Sequence, residues 1–424
     1  MTEQQVGFGR FKVLIVPVNT RQYGHLALEI ATGFARAMAS RSSIYWAFQG
    51  GAVSSGLAAL SCPRVPIVDA WAGWGVRLVH GISQAIRRSG EWCRKVVIQL
   101  RLLAGLEAKK RKYPLDLTRW LKSFSHGDIE MAWRRPPRGP YMRRNLLRHP
   151  VPVVQRAPVA ESARARARDL GIADDQPIVA LHVREAGFKL GREMHNAKAN
   201  ARDDSSRNGR IELMGPALDL LGSRGYKVVR TGDNSMTPFA HPALIDLTQI
   251  TPYDSHLEVF CLLRSRFLIA GEAGPSGASY LTNTPLLTVN ATDPISSFPI
   301  RRHGLMVLKR VRDRQTGRML RLDELLTEDY ATNLRNTTRY QYIDNTPEEL
   351  LASVEEMLDD LDHDRPELPA QTAFREDVMR ACEELGPRHA YVRKWGLDEG
   401  FLGDGRLARF TFDSWAWERT ISPR

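Results

Sequence analysis

Short apolar runs alternate with longer stretches of helical spacing along most of this chain. Residues 11–16 (FKVLIV) are apolar and of strand length. After a loop at 17–23, the run GHLALE at 24–29 opens a helix predicted to reach about residue 39. Residues 44–48 read as a second strand and 65–68 as a third. This β-loop-α-β order predicts a parallel sheet. The same alternation returns near residue 159. It predicts a helix at 160–170, a strand at 178–183, a helix at 214–224, a strand at 226–230, a helix at 256–265 and a strand at 267–270. A glycine-rich loop, a short helix at 276–281 and a strand at 286–289 complete the series. Thr346-Pro347-Glu348-Glu349 is a helix start, with an N-cap, proline at the first position and Glu three residues after the cap. That helix should continue to about residue 361, and further helix is expected at 373–385.

Between the two regions the pattern changes. From about 71 to 150 the stretches are long and helical in spacing. Residues 76–112 carry ten Lys or Arg but only Glu91 and Glu107 as acids. Residues 133–150 add six arginines and no acid, and Pro136, Pro137 and Pro140 keep that part from being helix. The expected organisation is therefore an N-terminal Rossmann-like domain at 1–158 with a basic helical insertion at about 71–150. A second Rossmann-like domain follows at 159–365, and a helical tail at 366–424. Two such halves facing a cleft make the GT-B architecture, an α/β fold.

The chemistry concentrates at strand ends. The stretch 267–290 (FLIAGEAGPSGASYLTNTPLLTVN) reads strand, glycine loop, helix, turn, strand. A glycine loop feeding a helix N-terminus is an anion site, because free N–H groups and the helix dipole converge there. Gly274, Ser276 and Gly277 are its candidate phosphate contacts, and a plain N-cap is the alternative. The strand at 178–183 runs into Arg184 and Glu185. Ligands of open α/β sheets sit beyond the carboxyl ends of strands, so Arg184 is placed to grip a phosphate with its fork of donors. A third strand ends in Thr231-Gly232-Asp233.

Composition narrows the field. With 424 residues, 43% hydrophobic and 25% charged, the chain has the make-up of a globular protein of more than one domain. The net charge of +12 fits anionic partners: nucleotide phosphates, a membrane surface, acidic glycans or nucleic acid. Four scattered cysteines form no CxxC pair, which argues against a zinc ribbon or disulfide framework. No signal peptide and no membrane-spanning run is visible, so a cytoplasmic protein, free or peripheral to the membrane, is expected. No GxxxxGK is present, which argues against a P-loop kinase.

GHLALE at 24–29, HVRE at 182–185, RNGRIE at 207–212, RTGD at 230–233 and GPSGASYLTNTP at 274–285 together resemble a bacterial family of glycosyltransferases, mostly uncharacterised. HVR is also similar to the HxR motif of GDP-fucose-using fucosyltransferases, whose arginine grips the donor diphosphate. The GPSG loop looks like the donor-phosphate loop of heptosyltransferase-type enzymes. One departure is that the acid expected at a fixed distance after HVR is here Glu185, directly adjacent.

The resemblance implies a nucleotide-diphosphate sugar as donor substrate, no cofactor, and a glycan or lipid-linked acceptor. It brings in Arg207 and Asn208, which lie in a polar segment (198–210) read as a mobile loop. His182 shares a strand face with Arg184 and either supports the phosphate or is a core histidine. Gly24 and His25 would face the cleft, with His25, Glu29 or Glu185 as the base that deprotonates the acceptor. Asp233 reads as a ribose or sugar contact, or an ordinary turn. The DxD matches at 360–364 end a predicted helix and read as a solvated terminus, so no metal site is expected. The basic segment 76–148 is open to a membrane-surface reading, which suits its interleaved tryptophans, and nucleic acid is not the expected partner. The rival readings are another nucleotide-sugar enzyme, such as an epimerase, and a non-catalytic basic scaffold.

Overall fold

A computed structural model of the chain describes residues 13–18, 23–48, 54–67, 149–186, 205–386 and 403–415. The basic segment 76–148 lies outside the described residues.

The N-terminal unit is a β-α-β arrangement: strand β1 (Val13–Val18), helix α1 (Tyr23–Ser40) and strand β2 (Ser43–Phe48). The two strands pair in parallel from Val13↔Ser43 to Val18↔Phe48. The expected third strand is reduced to a single parallel bridge, Ile44↔Ile67. A one-turn helix α2 (Ser55–Ala58) follows, capped by the Ser54 side chain.

Helix α3 (Ala157–Asp169) opens the second unit. The chain then alternates: β3 (Ile178–His182), α4 (Gly215–Ser223), β4 (Lys227–Arg230), β5 (Leu244–Asp246), α5 (Ser255–Arg264), β6 (Ser265–Ala270), α6 (Gly274–Thr282), β7 (Leu286–Ala291) and β8 (Leu305–Leu308). Strand β9 (Arg310–Asp313) pairs antiparallel with β10 (Tyr340–Ile343), flanking α7 (Glu328–Thr332). Helices α8 (Pro347–His363) and α9 (Pro369–Leu385) lead to β11 (Arg406–Leu407) and α10 (Phe410–Ser414).

Seven strands form one sheet in the order β11-β8-β7-β6-β3-β4-β5, and every pairing is parallel. Both faces are covered, which is why β3 and β7 are buried along their whole length and read as unbroken apolar runs. The chain winds from β3 outward to β5, returns to β6 beside β3, and then winds the other way. The β3/β6 pair is thus the topological switch point, beyond whose carboxyl ends ligands bind in such sheets.

On one face, Leu26, Ile30 and Phe34 of α1 share a core with Val259, Leu262, Ala278 and Leu281 of α5 and α6. The first helix of the chain therefore packs directly on the helix that follows the glycine loop. On the other face, α4 and α8 cover β3, β6 and β7. The start of α8 is as expected: the Thr346 hydroxyl accepts from Glu349 N at 3.3 Å, and Glu349 Oε2 accepts from Thr346 N at 3.1 Å.

The DxD matches fall at the end of α8. Asp362 pairs with Arg266 and Asp364 with Arg302 at the surface. Asp360, expected to be solvated, is instead 1% exposed and bound to Arg406. It faces inward because β11 and its arginine close over that end of the helix.

Candidate functional site

In the switch-point register, Leu181 lies opposite Ile269 and His182 opposite Ala270. Two residues further on, Arg184 follows one strand and Glu272 the other. A third segment, 205–210, crosses above them. Gly209 N donates to the Arg184 carbonyl at 3.0 Å. Arg184 Nη1 donates to Asn208 Oδ1, and Arg207 Nη1 donates to the Glu272 carbonyl at 3.1 Å. Residues 205–210 of the expected mobile loop are therefore pinned to both strand ends, while 187–204 lie outside the described residues.

Glu272 is the anchor of this cluster. It is 8% exposed. Its carboxylate accepts from Thr292 N and Asp293 N, both at 2.9 Å, from the Thr292 hydroxyl at 2.7 Å and from the Ser297 hydroxyl at 2.5 Å. Arg335 Nη2 completes the set at 2.9 Å. Burial pushes the Glu272 carboxyl up, but Arg335 and the hydroxyl and amide donors outweigh it and hold the group at about 2. Arg335 arrives from a segment with no strand or helix. Its backbone is left-handed (φ 64°), and its N–H donates to the Tyr342 hydroxyl at 2.7 Å. A strained backbone held by a half-buried phenol is the kind of outlier found at functional sites.

Arg184 carries the imprint of its neighbours. Burial, together with the charges of Arg207 and Arg335, lowers its guanidinium to about 10, with Glu272 opposing. It stays charged at neutral pH. Three guanidinium groups around one carboxylate leave a positive excess, directly beside the N-terminus of α6. No side chain caps that N-terminus. Such a setting fits a ligand with more than one negative charge. Lys309, 2% exposed, braces it from behind, donating to the Asn208 carbonyl at 2.6 Å and to Asp344 at 2.7 Å.

The remaining sequence-predicted residues divide. His182 is buried, and its Nδ1 lies 3.0 Å from the Thr231 carbonyl. A carbonyl only accepts, so Nδ1 carries the proton. Burial lowers His182 to about 4, with Arg230 and Arg184 acting in the same direction and the Thr231 bond opposing. It is a neutral ring within the sheet edge, the core-histidine alternative.

Glu185, a candidate base, is otherwise engaged. Its oxygens accept from Arg230 Nη2 at 2.6 Å, Thr237 N at 2.8 Å and the Thr237 hydroxyl at 2.7 Å. Arg230 itself is 0% exposed and also binds Asp246 at 2.9 Å. The acid after HVR thus ties the β4 loop down and does not point its lone pairs at the site.

Gly232 has φ 150°, and a Cβ there would meet Met236 Sδ at 2.3 Å, so the glycine is needed for the turn. Asp233 accepts from Ser235 N at 2.9 Å, the ordinary-turn alternative.

Gly24, Gly274 and Gly277 meet one another. A Cβ on Gly24 would lie 2.9 Å from Gly274 Cα, and one on Gly277 would lie 3.0 Å from the Gly24 carbonyl oxygen. The glycines of two separate motifs are thus one helix crossing. The Ser276 hydroxyl donates to the Gly271 carbonyl at 2.6 Å, so its proton is spent within the loop and its backbone N–H is the group left for a ligand. The side chain of His25 lies outside the described residues.

Sequence reasoning missed Glu272 as the organising acid, although it lies inside the recognised loop. It also missed Arg335 and Lys309, for which no local pattern gave a signal.

No protein-family model matches the chain, and no curated protein matches it. Among solved structures, the fold is similar to a glycosyl transferase family 9 protein from Veillonella parvula. Identity is 12%, over 82% of this chain and 97% of that one, with a TM-score of 0.45. It is also similar to the E. coli ADP-heptose LPS heptosyltransferase II (13% identity, 82% and 98% covered, TM-score 0.36). The fucosyltransferase NodZ from Bradyrhizobium is a third (12%, 64% and 92%, 0.28). These are likenesses of fold between distant sequences. No helix among the described residues is long and apolar enough to cross a membrane.

Proposed function

We propose that this protein is a glycosyltransferase that takes a sugar from a nucleotide-diphosphate donor and passes it to a hydroxyl of a surface-glycan or lipid-linked acceptor. The observation that carries the reading is the convergence of Arg184, Arg207 and Arg335 on the uncapped N-terminus of α6, at the switch point of the parallel sheet.

In this reading Arg184 and Arg207 bind the diphosphate. Glu272 fixes Arg335 and, through its carbonyl, Arg207. The same positive charge offsets the negative charge that develops on the departing nucleoside diphosphate, so the reaction proceeds without a divalent ion. With Glu185 committed to Arg230 and Thr237, the acceptor proton goes to His25 or Glu29, both on the helix that packs against the phosphate loop. The basic segment 76–148 would bring the enzyme to an anionic membrane surface where such acceptors lie.

The test is thermal shift of the purified protein with UDP-, GDP-, ADP-, CMP- and dTDP-sugars, each with and without magnesium. A stabilising shift with one nucleotide class, equal in both conditions and absent in Arg184→Ala, is expected. No shift with any donor would refute the reading.

A further inference from the structure

Asn208 and Gly209 hold Arg184 at two points. The Asn208 side-chain oxygen accepts from Arg184 Nη1, and Gly209 N donates to the Arg184 carbonyl at 3.0 Å. These two residues rest in turn on a buried polar floor, built where β7, β8 and β10 end. Lys309 stands between β8 and β9. Its Nζ donates to the Asn208 carbonyl at 2.6 Å and to Asp344 Oδ1 at 2.7 Å. Asp344 directly follows β10, and its other oxygen accepts from Arg210 Nε at 3.3 Å.

A second anchor lies beside the first. Asn290 near the end of β7 and Asn345 after β10 bind each other twice. Asn290 N donates to Asn345 Oδ1 at 2.7 Å, and Asn345 N donates to Asn290 Oδ1 at 2.8 Å. Asn345 Nδ2 also donates to the Leu308 carbonyl at 2.8 Å, one residue before Lys309. Gly209 sits on this staple: a Cβ there would lie 3.1 Å from Asn290 Nδ2 and 3.3 Å from Val183 Cγ1. Lys309, Asn290 and Asn345 are all buried.

A buried ammonium is costly unless it is paired, and a buried ion pair is often replaceable by apolar groups with little loss of stability. Apolar side chains could fill the space of Lys309 and Asp344, but they could not hold a carbonyl. The ammonium uses one donor on the main chain of the residue whose side chain orients Arg184. An arginine ordered in advance loses less rotamer freedom when ligand arrives.

We propose that Lys309 is a positioning residue for the phosphate site: with Asp344 and the Asn290–Asn345 staple it fixes the Asn208 carbonyl, and through the Asn208 side chain it holds the Arg184 guanidinium ready for ligand. The consequence for ligand rests on the nucleotide-sugar reading; the consequence for the order of residues 207–209 does not.

Lys309→Met alone would strand the Asp344 carboxylate. The variant to compare is therefore Lys309→Met/Asp344→Asn, which removes both charges and leaves the net charge unchanged. Any loss of affinity then reflects geometry and not a weaker positive field. Calorimetric titration with ADP, GDP and UDP is run on the wild type, this variant, Asn208→Ala and the triple variant. The nucleotide that binds should lose about tenfold in affinity with the pair variant and about tenfold with Asn208→Ala. The triple variant should also lose only about tenfold, where independent effects would multiply to about 100-fold. A merely structural role would not produce that coupling. Unchanged affinity in the folded pair variant, or multiplying losses in the triple, overturns the proposal. Should the pair variant not fold, Asn290→Gly takes its place in the same cycle, since glycine accepts the left-handed φ of 53° at that position and no charge is touched. Hydrogen exchange of the ligand-free proteins supplies the second readout. Amides of 207–209 should exchange roughly tenfold faster in the pair variant, with β3 and β6 unchanged, and an unchanged rate at 207–209 overturns the proposal. If none of the three nucleotides binds the wild type while 207–209 respond as expected, the nucleotide-sugar reading fails and the assignment of Lys309 to that segment stands.

Discussion

Replacing Arg335 with Gln removes the cation that faces Glu272 and leaves a buried carboxylate with only neutral donors. The magnitude follows from the position of that carboxyl. In the folded chain it is held at about 2, against the ordinary 4.5 of a glutamate. A depression of that size corresponds to about 3 kcal/mol of folding stability at neutral pH. The sign is that of a depressed acid: the contribution is present in full above pH 4.5 and is lost as pH falls from there through 2. Without Arg335 the largest influence holding the carboxyl down is gone, so the folded-state carboxyl rises and much of this contribution is lost. The figure agrees with the roughly 3–5 kcal/mol cost of removing one partner of a buried pair. Urea unfolding at pH 7 should therefore place Arg335→Gln about 3 kcal/mol below the wild type. At pH 3 the gap should shrink to less than about half of that. A gap below about 0.5 kcal/mol at pH 7, or one that does not change with acid, would refute the assignment of Arg335 as the counter-charge of Glu272.

Gly24→Ala places a methyl 2.9 Å from Gly274 Cα, against backbone that has nowhere to go. It should cost about 1–3 kcal/mol of stability and accelerate proteolysis of α1, both measurable on the purified variant. Glu185→Ala strips one carboxylate from the fully buried Arg230 but leaves Asp246. It should lower stability by about 2–3 kcal/mol in urea unfolding while changing nucleoside-diphosphate affinity less than about twofold. Thr346→Ala removes one half of a capping box and should cost about 1 kcal/mol, with binding untouched.

What was legible in the sequence was what local pattern encodes. Strands β3, β6 and β7 are buried on both faces and so appear as plain apolar runs. The Thr346-Pro347 start of α8 carries its own chemistry. The glycine loop showed its type but not its reason: Gly24 lies 250 residues before Gly274, and only the fold shows that it forms one crossing with Gly274 and Gly277. The antiparallel pair of β9 and β10 was missed because RVRD and YQYI are four residues each and mix polar with apolar positions. Arg335 was invisible for a different reason. It stands in an irregular segment, and its side chain reaches Glu272 through a left-handed backbone that no periodicity signals. Glu185 misled because adjacency to Arg184 in sequence places it on the opposite side of the chain, toward Arg230.

The central claim is that Arg184 and the start of α6 hold a diphosphate. Calorimetric titration of the wild type and Arg184→Ala with ADP, GDP and UDP, without divalent metal, tests it most directly. One nucleotide should bind the wild type, and Arg184→Ala should weaken it about 100-fold, the worth of roughly 3 kcal/mol from two charge-assisted hydrogen bonds. Binding that is equal in a folded Arg184→Ala, or no binding of any of the three to the wild type, would contradict the account.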